Sequence, residues 1–331
     1  MKTVKLVALI VLVSLVFPSV VVFSADRKTD TIDFVISDFV YNYAGTNDFT
    51  VLGSAKLEAK NKHSNTNLTV VDLDIDGNSL YLILDESLGM IVEFAEAKSP
   101  YYEYYTHHGA NKLIYSPGSY LVETSEGVMV DPTNTANNIG SERITHPSFS
   151  TRNQPDSTNE NWWEKTNDYI INVPDNNPVS IYGDLNTAIL NVVEYWYNLG
   201  YTSLIPNGYS FLARGAINDC FMNQGSVHRT YYVDAMEEYV DTYTDYIVDI
   251  ADYLSFDLDD IRYEISVYSS PCIVGISNNY SYSAYNVTCV GYYVISNTEY
   301  LIVHDVNPNT SYDVYMNFSI FNWMGSFSVI D

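Results

Sequence analysis

Asp184-Leu185-Asn186-Thr187-Ala188-Ile189-Leu190-Asn191-Val192-Val193-Glu194-Tyr195-Trp196 has the spacing of a helix. The pattern predicts helical structure from Thr187 to Leu199, ended by Gly200. Asp184 stands at its start, where aspartate is a favoured cap worth roughly 0.5–2 kcal/mol and its charge is stabilised. Downstream, Val233, Met236, Val240, Tyr243, Ile247, Ile250 and Leu254 recur at steps of three and four, which predicts one long second helix. Its other face would carry Asp241, Asp245 and Asp249 without a basic partner, as a solvated face or, alternatively, a cation site. Strand patterns follow at Cys272 to Ile276, Val287 to Ile295, Tyr300 to Val303 and Tyr312 to Phe318. Helices followed by a meander of strands indicate an α+β domain over 169–331, with helices packed on an antiparallel sheet.

Upstream, the first clear unit begins at Leu68. Leu68 to Ile75 alternates, Asp76-Gly77-Asn78 turns and Leu80 to Leu84 returns, which is a hairpin signal. Runs at Gly89 to Phe94, Lys112 to Tyr115 and Ser119 to Val122 extend a β-rich region over 25–130. Before Leu68 the chain is polar with short apolar runs, such as Phe34-Val35-Ile36 and Phe39-Val40. Asp72, Asp74 and Asp76 imitate a calcium loop, but Ile83 occupies the twelfth position, so aspartates with an outer face in water are expected. Residues 131–168 change to Asn, Thr, Ser, Pro and Asp and read as a linker, onto which Trp162-Trp163 would be pinned.

The 331 residues carry 41 acidic and 15 basic side chains, a net charge of −26 that disfavours nucleic acid and anionic lipid as partners. Met1 to Ser24 reads as a cleaved signal peptide, with Lys2 and Lys5 before an apolar centre and Val22-Phe23-Ser24 before the cut. Export without a remaining membrane span is therefore expected. Cys220, Cys272 and Cys289 are too few for a disulfide scaffold, and no two have metal-ligand spacing. Cys272 and Cys289 are expected as buried free thiols, with a cross-strand bridge as the alternative. His107-His108 have no third ligand at a suggestive spacing, and neither a metal nor a cofactor is implied.

Three stretches resemble papain-like cysteine peptidases of the bacteriocin-leader-processing (double-glycine peptidase) type and the related streptopain-like enzymes. Asp184 to Asn191 keeps Thr187, Ala188 and Asn191 of a Cys-Gly-Pro-Thr-Ala-x-x-Asn pattern, followed by Tyr195-Trp196 and Gly200-Tyr201. Tyr285 to Tyr292 matches His-x-Val-x-x-x-Gly-Tyr except at the histidine, and Leu301 to Asp305 keeps the aspartate of the third pattern. The region 25–130 is similar to the sheet-rich, propeptide-like segments that precede such domains in secreted Gram-positive proteins.

The resemblance implies a papain-like fold in which Asp184 stands for the nucleophilic thiol, Tyr285 for the imidazole, and Asp305 for the orienting acid. The chemistry needs a thiolate at a helix start, a histidine as acid and base, and an oxyanion donor. After Val173-Pro174, the residues Asp175-Asn176-Asn177-Pro178 lack the expected glutamine. Tyrosine, with a pKa near roughly 10, is a poor base at neutral pH. What is implied is a secreted or cell-surface bacterial pseudoenzyme that binds a peptide or protein, cationic in character, through Asp184, Asn186, Tyr285, His304 and Asp305. Two alternatives stand beside it: a hydrolase using Asp184 and Asp305 as paired carboxylates, and an acidic surface or matrix protein. Cys220 as nucleophile is disfavoured because Phe221 to Gly225 lacks the small-residue helix start, and His228 is expected as a surface or cap residue.

Overall fold

The computed structural model describes residues 29–60, 67–117, 119–132, 151–152, 165–176, 183–276, 285–305 and 313–330. The leader-like segment 1–24 and Trp162-Trp163 lie outside the described residues. The chain is mixed α+β, with a large sheet and several helices. In order they are α1 (Thr29–Ala44), β1 (Thr50–Ala59), β2 (Leu68–Ile75), β3 (Asn78–Asp85), β4 (Met90–Ala95), β5 (Lys112–Ser116), β6 (Ser119–Glu123), β7 (Met129–Val130), β8 (Thr151–Arg152), β9 (Asn167–Ile170), α2 (Gly183–Asn198), α3 (Ser210–Gln224), α4 (Tyr232–Tyr243), β10 (Ile247–Tyr253), α5 (Leu258–Arg262), β11 (Cys272–Ile276), β12 (Tyr285–Ile295), β13 (Thr298–His304), β14 (Val314–Asn317) and β15 (Trp323–Ile330). None of the described helices is long and apolar enough to cross a membrane.

Thirteen of the fifteen described strands follow one path, β10-β15-β11-β12-β13-β14-β4-β3-β2-β1-β5-β6-β7, with β9 branching from β12 and β8 pairing β9, and the two halves of the chain meet where β14 pairs with β4. The β2–β3 hairpin forms as its sequence predicts. Asp76 (φ 53°) and Gly77 (φ 85°) are both left-handed, as a two-residue hairpin turn requires. Asp72 departs from the expected outward-facing row, because it is fully buried and accepts from the Ser99 N–H and hydroxyl and from the Tyr105 hydroxyl. A buried carboxylate is tolerated when donors of this kind replace water.

Two further readings are corrected. The polar stretch before Leu68 contains α1, whose Ile36, Phe39 and Val40 are buried at helical spacing. Phe39 and Tyr43 project onto Phe94 with centroid separations of 4.9 and 5.5 Å, and onto Tyr300 and Tyr293 at 6.3 and 6.2 Å. The apolar stripe from Val233 to Leu254 is not one helix: α4 ends at Tyr243, Thr244 is extended, and Ile247–Tyr253 pairs at every residue with β15. A continuous helix would align Asp241, Asp245 and Asp249, each like-charged pair costing a few tenths of a kcal/mol. The strand satisfies the same backbone and suits β-branched Ile247, Val248 and Ile250.

β12 organises the second half. Its start pairs with β11, its end with β9, and its other edge with β13. Asn167–Ile170, at the end of the stretch read as a linker, is therefore a strand within the sheet. Gly291 makes that junction possible, since a Cβ there would lie 2.5 Å from the Asp168 carbonyl oxygen. Cys272 and Cys289 are register partners across β11 and β12, and both thiols are free and buried. α2 is buried from Leu185 to Trp196 and packs on β12. Asn191 donates to Thr288 Oγ1 (2.9 Å), Tyr195 to the Ser269 carbonyl (2.7 Å), and Trp196 to that of Phe327 (3.0 Å).

Candidate functional site

Gly183 opens α2 with φ 77°, and Asp184 lies inside the first turn. The expected cap role is replaced by a tertiary one, because Asp184 Oδ2 accepts both the backbone N–H of Asn286 and its side-chain amide, the latter at 3.1 Å. The helix start still favours the negative charge. Asp184 thus pins the beginning of β12 to the beginning of α2. Removing it leaves the Asn286 N–H without its acceptor, so Asp184→Ala is expected to lose about 1–3 kcal/mol. Asp184→Asn, which retains an oxygen, should lose less when urea midpoints are compared.

Tyr285 precedes Asn286 and donates its hydroxyl to the Asp305 carbonyl oxygen. Burial pushes this phenol well above its ordinary range, and Asp305, Asp184, Asp175 and Asp131 push it further. It is a neutral donor at physiological pH and cannot serve as a base. Asp305 is fully buried, and His304 is 2% exposed. The His304 Nδ1 lies 3.3 Å from the Pro174 carbonyl oxygen, and Nε2 lies 3.4 Å from Asp313 Oδ1 in a geometry too poor for a hydrogen bond. Both ring nitrogens therefore face oxygen atoms.

The structure brings Asp184, Tyr285, His304 and Asp305 to neighbouring positions at the helix start and the ends of β12 and β13. Asn186 does not join them; its amide donates to the Arg214 carbonyl at 3.3 Å, tying α2 to α3. In the segment where an oxyanion glutamine is expected, Asn176 donates its amide to Asn191 Oδ1 (2.9 Å) and to Glu194. That amide is committed to internal bonds. Asp184 is bonded to an amide and Tyr285 to a backbone carbonyl, and in neither of these contacts does a thiol or an imidazole take part.

The other candidates resolve separately. Burial, with Glu238 and Asp219 adding, pushes the Cys220 thiol up to about 11, so it is not a thiolate at neutral pH. His228 is exposed and caps the turn Arg229–Tyr231 by accepting from Thr230. His107 and His108 end a short surface turn, and among the described residues no three His, Cys, Asp or Glu side chains are placed to hold a metal.

Among the buried acids that sequence reasoning does not single out, two have strongly raised carboxyls. Glu93, fully buried on β4, accepts from Tyr81 (2.8 Å), Tyr120 (2.8 Å) and Tyr115 (2.7 Å). Burial raises its carboxyl to about 7 against these three donors. Glu264 is also buried; burial, with Asp249 and Asp260 adding, raises it to about 7, while Ser328 and Ser326 oppose. An acid inside the apolar run Met90 to Ala95 was the visible signal for the first.

Compared with models of known protein families and with curated proteins, the chain gives no match.

Proposed function

We propose that the chain is an exported, non-catalytic relative of papain-like cysteine peptidases. It would hold a cationic segment of a peptide or protein at the cleft where active relatives bind substrate. The bonding of Asp184 to Asn286 and of Tyr285 to Asp305 carries this reading. The groups standing for nucleophile and base are engaged as scaffold, and neither has the chemistry of the group it stands for. After burial, Asp305, Asp184 and Asp175 each push the Tyr285 phenol up, and this local excess of carboxylates favours a positively charged ligand. The same bonds oppose the paired-carboxylate reading, because Asp184 Oδ2 already receives two N–H donors.

The test pairs turnover with binding. Wild type and the single variants Cys220→Ala, Cys272→Ala and Cys289→Ala should all fail to cleave a mixed peptide library. A fluorescent lysine-rich peptide should bind, with affinity falling as salt rises and in Asp184→Asn. Peptide cleavage lost on replacing any one cysteine would sink the proposal.

A further inference from the structure

The sheet ends differently on its two sides. One terminal strand is the two-residue β7, which offers almost no edge. The other is β10, whose seven residues pair with β15 without a register shift. No described strand lies beyond it. Such an edge presents a row of unpaired backbone N–H and C=O groups, and folded proteins usually blunt it with lysine, proline or a bulge. Ile247–Tyr253 has no lysine, proline or bulge and is blunted by the charges of Asp249 and Asp252 alone, so among the described residues its outer backbone groups have no strand partner and a segment that neutralises those charges can pair with them.

The charge on this edge selects the partner. Asp249 and Asp252 project from opposite faces of β10 and both are exposed, as are Asp245 just before it and Asp257 and Asp259 just after it. Between residues 231 and 331 Arg262 is the one basic side chain, and it is engaged with Asp259 at 2.8 Å. A second copy of this chain adding antiparallel to β10 would bring another Asp249 and Asp252 alongside the first with no basic residue in either strand to balance them, which is unfavourable. Ile247 and Leu254, 71% and 73% exposed, stand at either end of the strand and supply apolar contacts for an incoming segment.

We propose that β10 is a strand-addition site for an extended, lysine- or arginine-rich segment of another protein. Main-chain hydrogen bonds would supply the affinity, and Asp245, Asp249 and Asp252 the selectivity. The site is separate from the Asp184 cleft: β10 lies three strands from β12, about 14 Å away at ~4.8 Å per strand. Burial, with Asp249 and Asp260 adding, raises the nearby Glu264 carboxyl, in keeping with the unbalanced charge of this edge.

The experiment titrates wild type with a fluorescent nine-residue peptide of alternating lysine and valine, with the same peptide N-methylated at every second residue, and with its glutamate counterpart. The unmethylated cationic peptide is expected to bind and to slow amide exchange in 247–253. The N-methylated and glutamate peptides should lose at least ten-fold in affinity. The double variant Asp249→Asn/Asp252→Asn, changed only at exposed positions, should lose ten-fold for the cationic peptide, whereas Asp184→Asn should leave edge protection intact. Equal binding of the N-methylated peptide, unchanged exchange across β10, or unchanged affinity in the double variant would overturn the assignment. A concentration-dependent dimer that protects β10 would overturn it in favour of self-pairing.

Discussion

Glu93→Gln is expected to be more stable than wild type at pH 8 by up to about 3 kcal/mol, and close to wild type at pH 4.5. Glu93 rises from the ordinary 4.5 to about 7 in the folded chain because burial penalises its charged form. The folded state therefore binds this proton more tightly than the unfolded state. Stability from the group is fully present below about pH 4.5, falls as pH rises towards 7, and is level above that. At 1.36 kcal/mol per pH unit, that interval corresponds to about 3 kcal/mol. Glutamine has the shape of the protonated carboxyl. Its oxygen can accept from Tyr81 and Tyr120, and its amide can donate to Tyr115, whose hydroxyl now donates to Glu93. Urea midpoints at the two pH values measure the difference directly. If wild type and variant ran parallel across that range, Glu93 would not be the titrating group. Part of the wild-type slope should survive, because Glu264 rises to about 7 for the same reason.

The cage around Glu93 also marks the limit of what local pattern reveals. Tyr81, Tyr115 and Tyr120 come from β3, β5 and β6, and nothing in their spacing announces a shared partner. By contrast, Asp76-Gly77 was readable because a two-residue turn depends on those two residues alone. α2 was readable because one continuous apolar run ends at Gly200. α4 and β10 were read together because steps of three and four in the helix happened to continue into a strand. Their boundary is set by pairing with β15, nearly eighty residues further on. At the candidate site, Asp184, Tyr285 and Asp305 are singled out only by resemblance in three separate stretches. Their actual bonds go to the Asn286 amide and the Asp305 carbonyl, partners that backbone geometry supplies and side-chain identity does not reveal.

Phe94→Ala is expected to produce the largest single loss of stability, about 3–5 kcal/mol. Phe94 is fully buried where the two halves of the chain join, stacked on Tyr315 at 4.4 Å and edge-on to Phe39, Tyr43 and Tyr300 at 4.9, 5.5 and 5.1 Å. Those rings belong to α1, β4, β13 and β14, so one truncation opens a cavity shared by both halves. The direct strand pairing across the seam is short, with Tyr315 opposite Phe94 and Met316 opposite Glu93. The aromatic cluster must therefore supply much of the coupling. All four tryptophans, Trp162, Trp163, Trp196 and Trp323, lie beyond residue 130, so fluorescence has no contribution from 25–130, whereas far-ultraviolet circular dichroism reports both halves. Both signals are expected to shift to lower urea together in Phe94→Ala. If the fluorescence transition stayed at its wild-type midpoint while the dichroism split in two, residues 25–130 would be a separable cover in the manner of a propeptide. Coincident transitions would instead make this region part of the folding unit that presents Asp184, and cutting it away would cost the start of α2 and β12 their support.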